Sequence, residues 1–166
     1  MSVQFEINKR DLEEALKLLE RTGANMEKAI PRVISDTTTA AYREAKRIAD
    51  AENIRRTGLY QKSMRMRLEG SGVNTVGIVG DAARDARTGF PYPIVIEEGS
   101  APHTITATVA KCLHFFAKSG DEVFVGKPGV VHHPGTKARH VFRRAAEFAV
   151  REIGRIVHGW IEKRGK

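Results

Sequence analysis

The residues best suited to chemistry are three histidines, His132, His133 and His140, in "VVHHPGTKARHVFRRAAEF", residues 130–148. Clustered imidazoles could hold a metal ion that activates water for hydrolysis. The spacing opposes that use. Neighbours on an extended strand point to opposite faces, so His132 and His133 do not readily share one ion. No His-x-x-x-His helical pair occurs, and no carboxylate follows at a familiar ligand spacing. Asp121 and Glu122, the nearest upstream acids, fall at the tip of an expected hairpin. A metal-dependent hydrolase using His132 and His133 is therefore the lesser alternative, and neither a metal nor a cofactor is expected.

A backbone role explains more of the same residues. Pro134 fixes φ for the second position of a tight turn, Gly135 supplies positive φ at the third, and Thr136 can cap the following helix. His133 precedes proline and is pushed toward extended geometry, as a strand end requires. Other chemistry is absent from the sequence. There is no Gly-x-Ser-x-Gly and no Gly-x-Gly-x-x-Gly, and "GKPGVV" lacks the ending of a phosphate loop. The adjacent carboxylates Glu97 and Glu98 read as a solvated pair or as a salt bridge to a partner subunit. His103 after Pro102, and His114 in an apolar strand, read as structural. Cys112, beside Leu113, Phe115 and Phe116, reads as a buried small hydrophobe. No catalytic residue is assigned, and the chain is not expected to be an enzyme.

The elements that position these residues follow from hydrophobic periodicity. In "NKRDLEEALKLLER", Asn8 can cap a helix with Asp11 in its first turn; Leu12, Ala15, Leu16 and Leu19 form its stripe, and Thr22-Gly23 stops it. A longer helix is expected from Met26 to about Ala49, with Asn25 as cap and Pro31 near its first turns. After "RRTGLY" the period becomes two: Met64, Met66 and Leu68 alternate with Arg65, Arg67 and Glu69, which predicts a half-buried strand. "SGVN" turns into a second strand, "TVGIVG". "DAARDARTGFPYP" reads as an exposed loop, and "YPIVIEEGS" fits either a short strand or one or two helical turns. "APHTITATVAK" reads as an extended arm, carrying Ile105, Ala107 and Val109. "CLHFFAK" and "EVFVGK" flank Ser119-Gly120-Asp121 as a hairpin, and "GVVHH" is a further short strand. Phe142, Ala145, Ala149, Ile153, Ile156 and Trp160 keep one helical face through a last helix, Lys137 to Lys163.

These 166 residues are expected to form one domain: 1–50 helical, 57–133 strand-rich with loops, and 137–163 a long helix. The fold class is α+β, with N-terminal helices and a long C-terminal helix packed on a mostly antiparallel β-sheet that carries an extended arm or loop. The opening "MSVQFEINKRDLEEA" lacks the apolar core of a secretory signal, and no stretch is apolar enough to span a membrane, so a cytosolic origin is expected. Net charge is +8. From Ala138 onward eight basic residues face three acidic ones, which puts +5 of that charge in the last segment. Such a balance favours anionic partners, nucleic acid or an acidic protein face. The candidate basic contact face is Arg143, Arg144, Arg151 and Arg155 on the last helix.

The order "RTGLYQKSM", "YPIVIEEGSAPHTI", "CLHFF" and "HPGTKARHVFRRA" resembles the head–tail connector and tail-completion (neck) proteins of long-tailed double-stranded DNA bacteriophages and prophages. The resemblance covers roughly Thr57 to Ala145 and falls on Tyr92, Glu98, Gly99, Pro102, His103, Ile105, Leu113, Phe115, His133, Pro134, Gly135, Thr136 and Ala145. Ser100 stands where the family has threonine, His140 and Arg144 where it often has proline, and Val141 where it often has phenylalanine; the loop Asp81 to Gly89 is longer. The resemblance implies a non-enzymatic virion component, a minor tail or neck protein assembled in the bacterial host cytoplasm and resident at the head–tail junction. It would act as a homo-oligomeric ring around the DNA channel, compatible with six-fold or twelve-fold symmetry. Its partners would be neighbouring connector and tail proteins, with non-specific proximity to packaged DNA and no membrane. A sequence-independent basic DNA-binding protein is the main alternative.

Overall fold

The computed structural model describes residues 3–7, 9–54, 59–86, 88–108, 111–117 and 119–162. Asn8, Thr57, Gly58, Val109 and Lys163, to which the sequence reading gave roles, lie outside the described residues. In chain order the elements are β1 (Val3–Ile7), a 3-10 turn (Lys9–Leu12), α1 (Glu13–Arg21), α2 (Met26–Ala51), α3 (Leu59–Ser63) and β2 (Met64–Glu69). A second 3-10 turn (Gly72–Asn74) leads to β3 (Val76–Asp81), α4 (Pro93–Glu98), β4 (His103–Thr106), β5 (Cys112–Phe116), β6 (Glu122–Gly126), β7 (Val130–His133) and α5 (Val141–Glu162). The class is α+β. One antiparallel sheet runs β1-β3-β2, and two antiparallel ribbons, β4-β7 and β5-β6, stand apart from it.

Helix α2 is the spine of the molecule. Its apolar stripe, from Ile30 through Val33, Ile34, Ala41 and Ala45 to Ile48, is buried. Thr37 and Thr38 lie within it because their hydroxyls donate back to the carbonyls of Val33 and Ile34, at 2.8 and 2.6 Å. Pro31 sits inside the helix without ending it. The C-terminal half of α2 packs Ala41, Ala45 and Ala49 against Phe142, Ala145 and Ala149 of α5, with Tyr60, Met64 and Val79 filling the space between helices and sheet. Its N-terminal half joins Leu12, Leu16 and Leu19 with Ile153 and Val157. The two long helices therefore run antiparallel, and facing alanines let them approach closely. Gly77 of β3 allows similar closeness to α2, since a Cβ there would overlap the Thr38 hydroxyl.

Several expectations are corrected. The first fifty residues are not all helical: β1 precedes α1 and pairs with β3 from Val3↔Asp81 to Ile7↔Gly77. The last helix begins at Val141 rather than Lys137, because His140 takes a left-handed φ of 49° and breaks the approach to it. Thr136 is not its cap; it forms a bridge with Ser100 instead. On α5, Val157 is fully buried whereas Ile156 and Trp160 are only half-buried. "YPIVIEEGS" is the short helix α4. The arm is not free throughout, since β4 pairs with β7 from His103↔His133 to Thr106↔Val130. The loop after β3 is not uniformly exposed, because Asp81 and Ala83 are buried. Strand β2 is correct, but Met66 and Leu68 are 43% and 46% exposed. Only Met64 on that edge strand lies buried in the interior beneath the helices. Cys112 is half-buried.

Candidate functional site

Three features could serve function: a buried carboxylate node, the ribbons, and a cationic groove. The node is built where α4 meets the start of α5. Glu97 is 2% exposed. Its Oε1 accepts the backbone N–H of Phe142 at 3.0 Å and the Tyr60 hydroxyl at 3.3 Å. A side chain from another element thus caps α5, satisfying an N–H that the first turn leaves without a helical partner. The chain approaching α5 is tied to α4 as well, because Arg139 N–H donates to the Ile96 carbonyl at 2.8 Å. Burial pushes the Glu97 carboxyl above its ordinary range, partly offset by the donors from Phe142 and Tyr60. Burial, then the nearby Glu97 and Asp81 charges, push the Tyr60 hydroxyl far upward.

Asp81 behaves alike. Burial raises its pKa, against the Ala83 N–H that donates to Oδ1 at 2.6 Å. Among the described residues, its Oδ2 and the hydroxyl of Tyr92 are buried without a hydrogen-bond partner. The two grooves described below are not lined by Glu97, Asp81 or Tyr60. The geometry of these groups suits support of the α4–α5 junction. Glu97 and Glu98 are expected from sequence to be a solvated pair or a salt bridge to a partner subunit; Glu98 is exposed, but Glu97 is buried against the start of α5. Adjacent carboxylates do not reveal in sequence which one turns inward. Gly99 ends α4 at φ 74° beside Thr136 and Ala138.

The His-Pro-Gly-Thr corner is a backbone device. Gly135 has φ 88° and packs on Ser100 and Ala101, where a Cβ would overlap the Ser100 carbonyl. The Ser100 and Thr136 N–H groups donate to each other's carbonyl oxygens at 2.9 and 3.0 Å, closing the corner. The imidazoles are engaged with backbone. His133 Nδ1 accepts the Gly135 N–H at 3.0 Å, and His103 Nδ1 lies 2.9 Å from the Ala101 carbonyl. The two rings stack at 4.9 Å across the β4–β7 ribbon, whereas His132 pairs with Thr104 and is exposed. Pro102 precedes β4 on the surface, and Pro134 is exposed at the turn. Among the described residues no group of three His, Cys, Asp or Glu side chains gathers to hold an ion.

The β5–β6 ribbon is apolar on both faces. Leu113, Phe115, Val123 and Val125 form one half-buried face. The other carries Phe116 and Phe124, each 62% exposed, with His114 stacked on Phe124 at 4.5 Å and bonded to Glu122 at 2.7 Å. The two strands pack chiefly on each other. Val130 on β7 adds a further exposed apolar side chain.

The arginines of α5 do not form one free basic face. Arg144 pairs with Glu52, which also binds Arg139 at 3.2 Å. The hydrogen bond from Arg144 is the main reason the Glu52 carboxyl lies below its ordinary range. Arg143 pairs with Glu147 at 3.2 Å and Arg155 with Glu152 at 2.5 Å. Arg143 and Arg151 border a shallow groove against β1, while Arg155 borders a second groove between α5 and α2. That second groove, about 850 Å³, is lined by Lys28, Arg32, Asp36 and Arg43 of α2 and by Ile156 and Trp160 of α5. Sequence reasoning missed it. Its signal was the four-residue spacing of Lys28, Arg32 and Asp36, continued by Arg43, along one exposed edge of α2. No family model, curated protein or solved structure matches the chain.

Proposed function

We propose that the chain is a non-enzymatic virion protein of a long-tailed double-stranded DNA phage or prophage, a neck or tail-completion component that joins head and tail. Identical subunits form a ring around the DNA channel and act through surfaces offered to their neighbours. The β5–β6 ribbon carries this reading. A two-stranded hairpin is marginal alone in water, and this one leaves Phe116 and Phe124 mostly uncovered. Exposed apolar patches of this kind mark interaction surfaces. A projecting ribbon seated on a different surface of the next copy makes a heterologous contact, which closes into a ring when the rotation permits. The motif order from Tyr92 to Thr136, which resembles neck proteins, supports the same reading. The hydrolase alternative draws no support from His132 and His133, whose side chains lie on opposite faces of β7.

The test is assembly in the virus. Particles carrying Phe116→Ser and Phe124→Ser should accumulate as separate filled heads and tails in electron micrographs. The purified variant should keep its wild-type circular dichroism, because neither ring is in the core. Joined, infectious particles at the wild-type yield would refute the reading.

A further inference from the structure

We infer that the groove between α2 and α5 is a binding site for the phosphate backbone of duplex DNA. The observation is a charge imbalance held on a rigid scaffold. Lys28, Arg32 and Arg43 lie along one edge of a single helix and Arg155 faces them from α5, with Asp36 as the acid in the lining. Lys28, Arg32 and Arg43 are exposed and take part in no ion pair among the described residues. Several other surface arginines are neutralised locally, Arg47 by Glu44, Arg139 and Arg144 by Glu52, and Arg143 by Glu147, and Arg155 itself pairs with Glu152. Cations left unpaired in a concave site raise the local concentration of a polyanion.

The dimensions suit a linear polyanion. Lys28 to Arg43 is fifteen residues of α-helix, about 22 Å at 1.5 Å per residue. Duplex DNA carries one charge per ~1.7 Å of axis with both strands counted, so a stripe of that length spans more than one crossing of the phosphate backbone. Asn25 adds a neutral hydrogen-bonding group to the lining, as phosphate contacts commonly use. The site contains no element shaped to enter a base-reading groove, so binding would be indifferent to sequence. This inference deepens the neck reading by naming the surface that meets DNA. It is tested separately, because the groove lies within one subunit and needs no ring.

Trp160 lines the groove and is the one tryptophan of the chain, so its fluorescence reports occupancy. The full-length protein is titrated with a labelled 20-base-pair duplex at several salt concentrations, following anisotropy and Trp160 emission together. Three phosphate contacts, one for each unpaired cation, predict a slope of log K against log salt of about −2.7, or roughly fortyfold weakening between 50 and 200 mM salt. Lys28→Ala/Arg32→Ala/Arg43→Ala should bring the slope close to zero and abolish the Trp160 response. Lys17→Ala/Lys137→Ala, at exposed lysines outside the groove, should change neither. Circular dichroism confirms that each variant is folded. The inference is overturned by absence of duplex binding at 50 mM salt, by an unchanged triple variant, or by binding that leaves Trp160 emission unaltered. Tighter binding of poly-glutamate than of the duplex would overturn DNA as the occupant in favour of an acidic protein segment. Oligomeric state, measured on the same samples by light scattering, distinguishes failure of this site from failure of the ring.

Discussion

Replacing Glu97 by alanine tests whether one buried carboxylate holds α4, α3 and α5 together. The substitution removes the acceptor of two donors that stay enclosed, the Phe142 N–H at 3.0 Å and the Tyr60 hydroxyl at 3.3 Å. A buried donor without a partner costs about 1–3 kcal/mol, and the longer Tyr60 bond belongs at the low end. The expected loss is therefore about 2–4 kcal/mol. For a chain of this size each kcal/mol moves Tm by about 2–4 °C, so a loss near the middle of that range lowers it by roughly 6–12 °C. Glu97→Gln keeps an acceptor oxygen in place and should remain within about 1 kcal/mol of wild type at pH 7.

The glutamine variant also fixes the sign of the pH dependence. Burial raises the folded pKa of Glu97, so between the unfolded and folded values the native state binds the proton more tightly than the unfolded chain. The contribution of Glu97 is then fully present below its unfolded pKa and declines as pH rises through its folded pKa. Glu97→Gln removes that decline and should gain on wild type from acid toward neutral pH. Asp81, raised for the same reason, leaves a residual slope of the same sign in both proteins. Urea unfolding followed by circular dichroism between pH 4 and 8 measures both effects. An alanine variant within 0.5 kcal/mol of wild type would refute the capping role. A glutamine variant that loses ground as pH rises would refute the assigned direction.

Two further perturbations probe the scaffold. Gly77→Ala should destabilise by about 1–3 kcal/mol in urea unfolding, because the added methyl overlaps the Thr38 hydroxyl between β3 and α2. Glu52→Gln should cost about 1 kcal/mol at pH 7 by releasing Arg139 and Arg144. That difference should vanish in acid: the folded pKa of Glu52 is lowered, so its contribution exists above the unfolded pKa and is lost as pH falls through the folded one.

Local pattern was enough for much of the fold. The period-3.6 stripes of α1, α2 and α5 and the alternation in β2 are properties of the chain itself, and the structure keeps them within a few residues. The Pro134-Gly135 turn was legible for the same reason, since φ of proline and glycine is restricted or freed by covalent structure. β1 was not legible. Five residues ahead of a strong helical stripe become a strand by pairing with β3, seventy residues downstream, and such pairing leaves no short-range mark.

The site depended still more on tertiary placement. Thr136 had the right side chain and position for a helix cap, yet the backbone of Thr136 closes on Ser100, and the cap comes from Glu97, 45 residues before Phe142. Glu97 and Glu98 are chemically identical in the sequence; α4 turns one into the interior and the other to water. The basic face expected on α5 is divided because Glu52, at the end of α2, reaches Arg139 and Arg144. Three unpaired cations of α2, Lys28, Arg32 and Arg43, line the groove against α5. Composition and periodicity determined that this protein would be basic, with two early helices, a strand-rich middle and a long last helix. Which charges are neutralised, and which apolar residues stay uncovered, was decided only by folding, because both depend on distances between side chains remote in sequence.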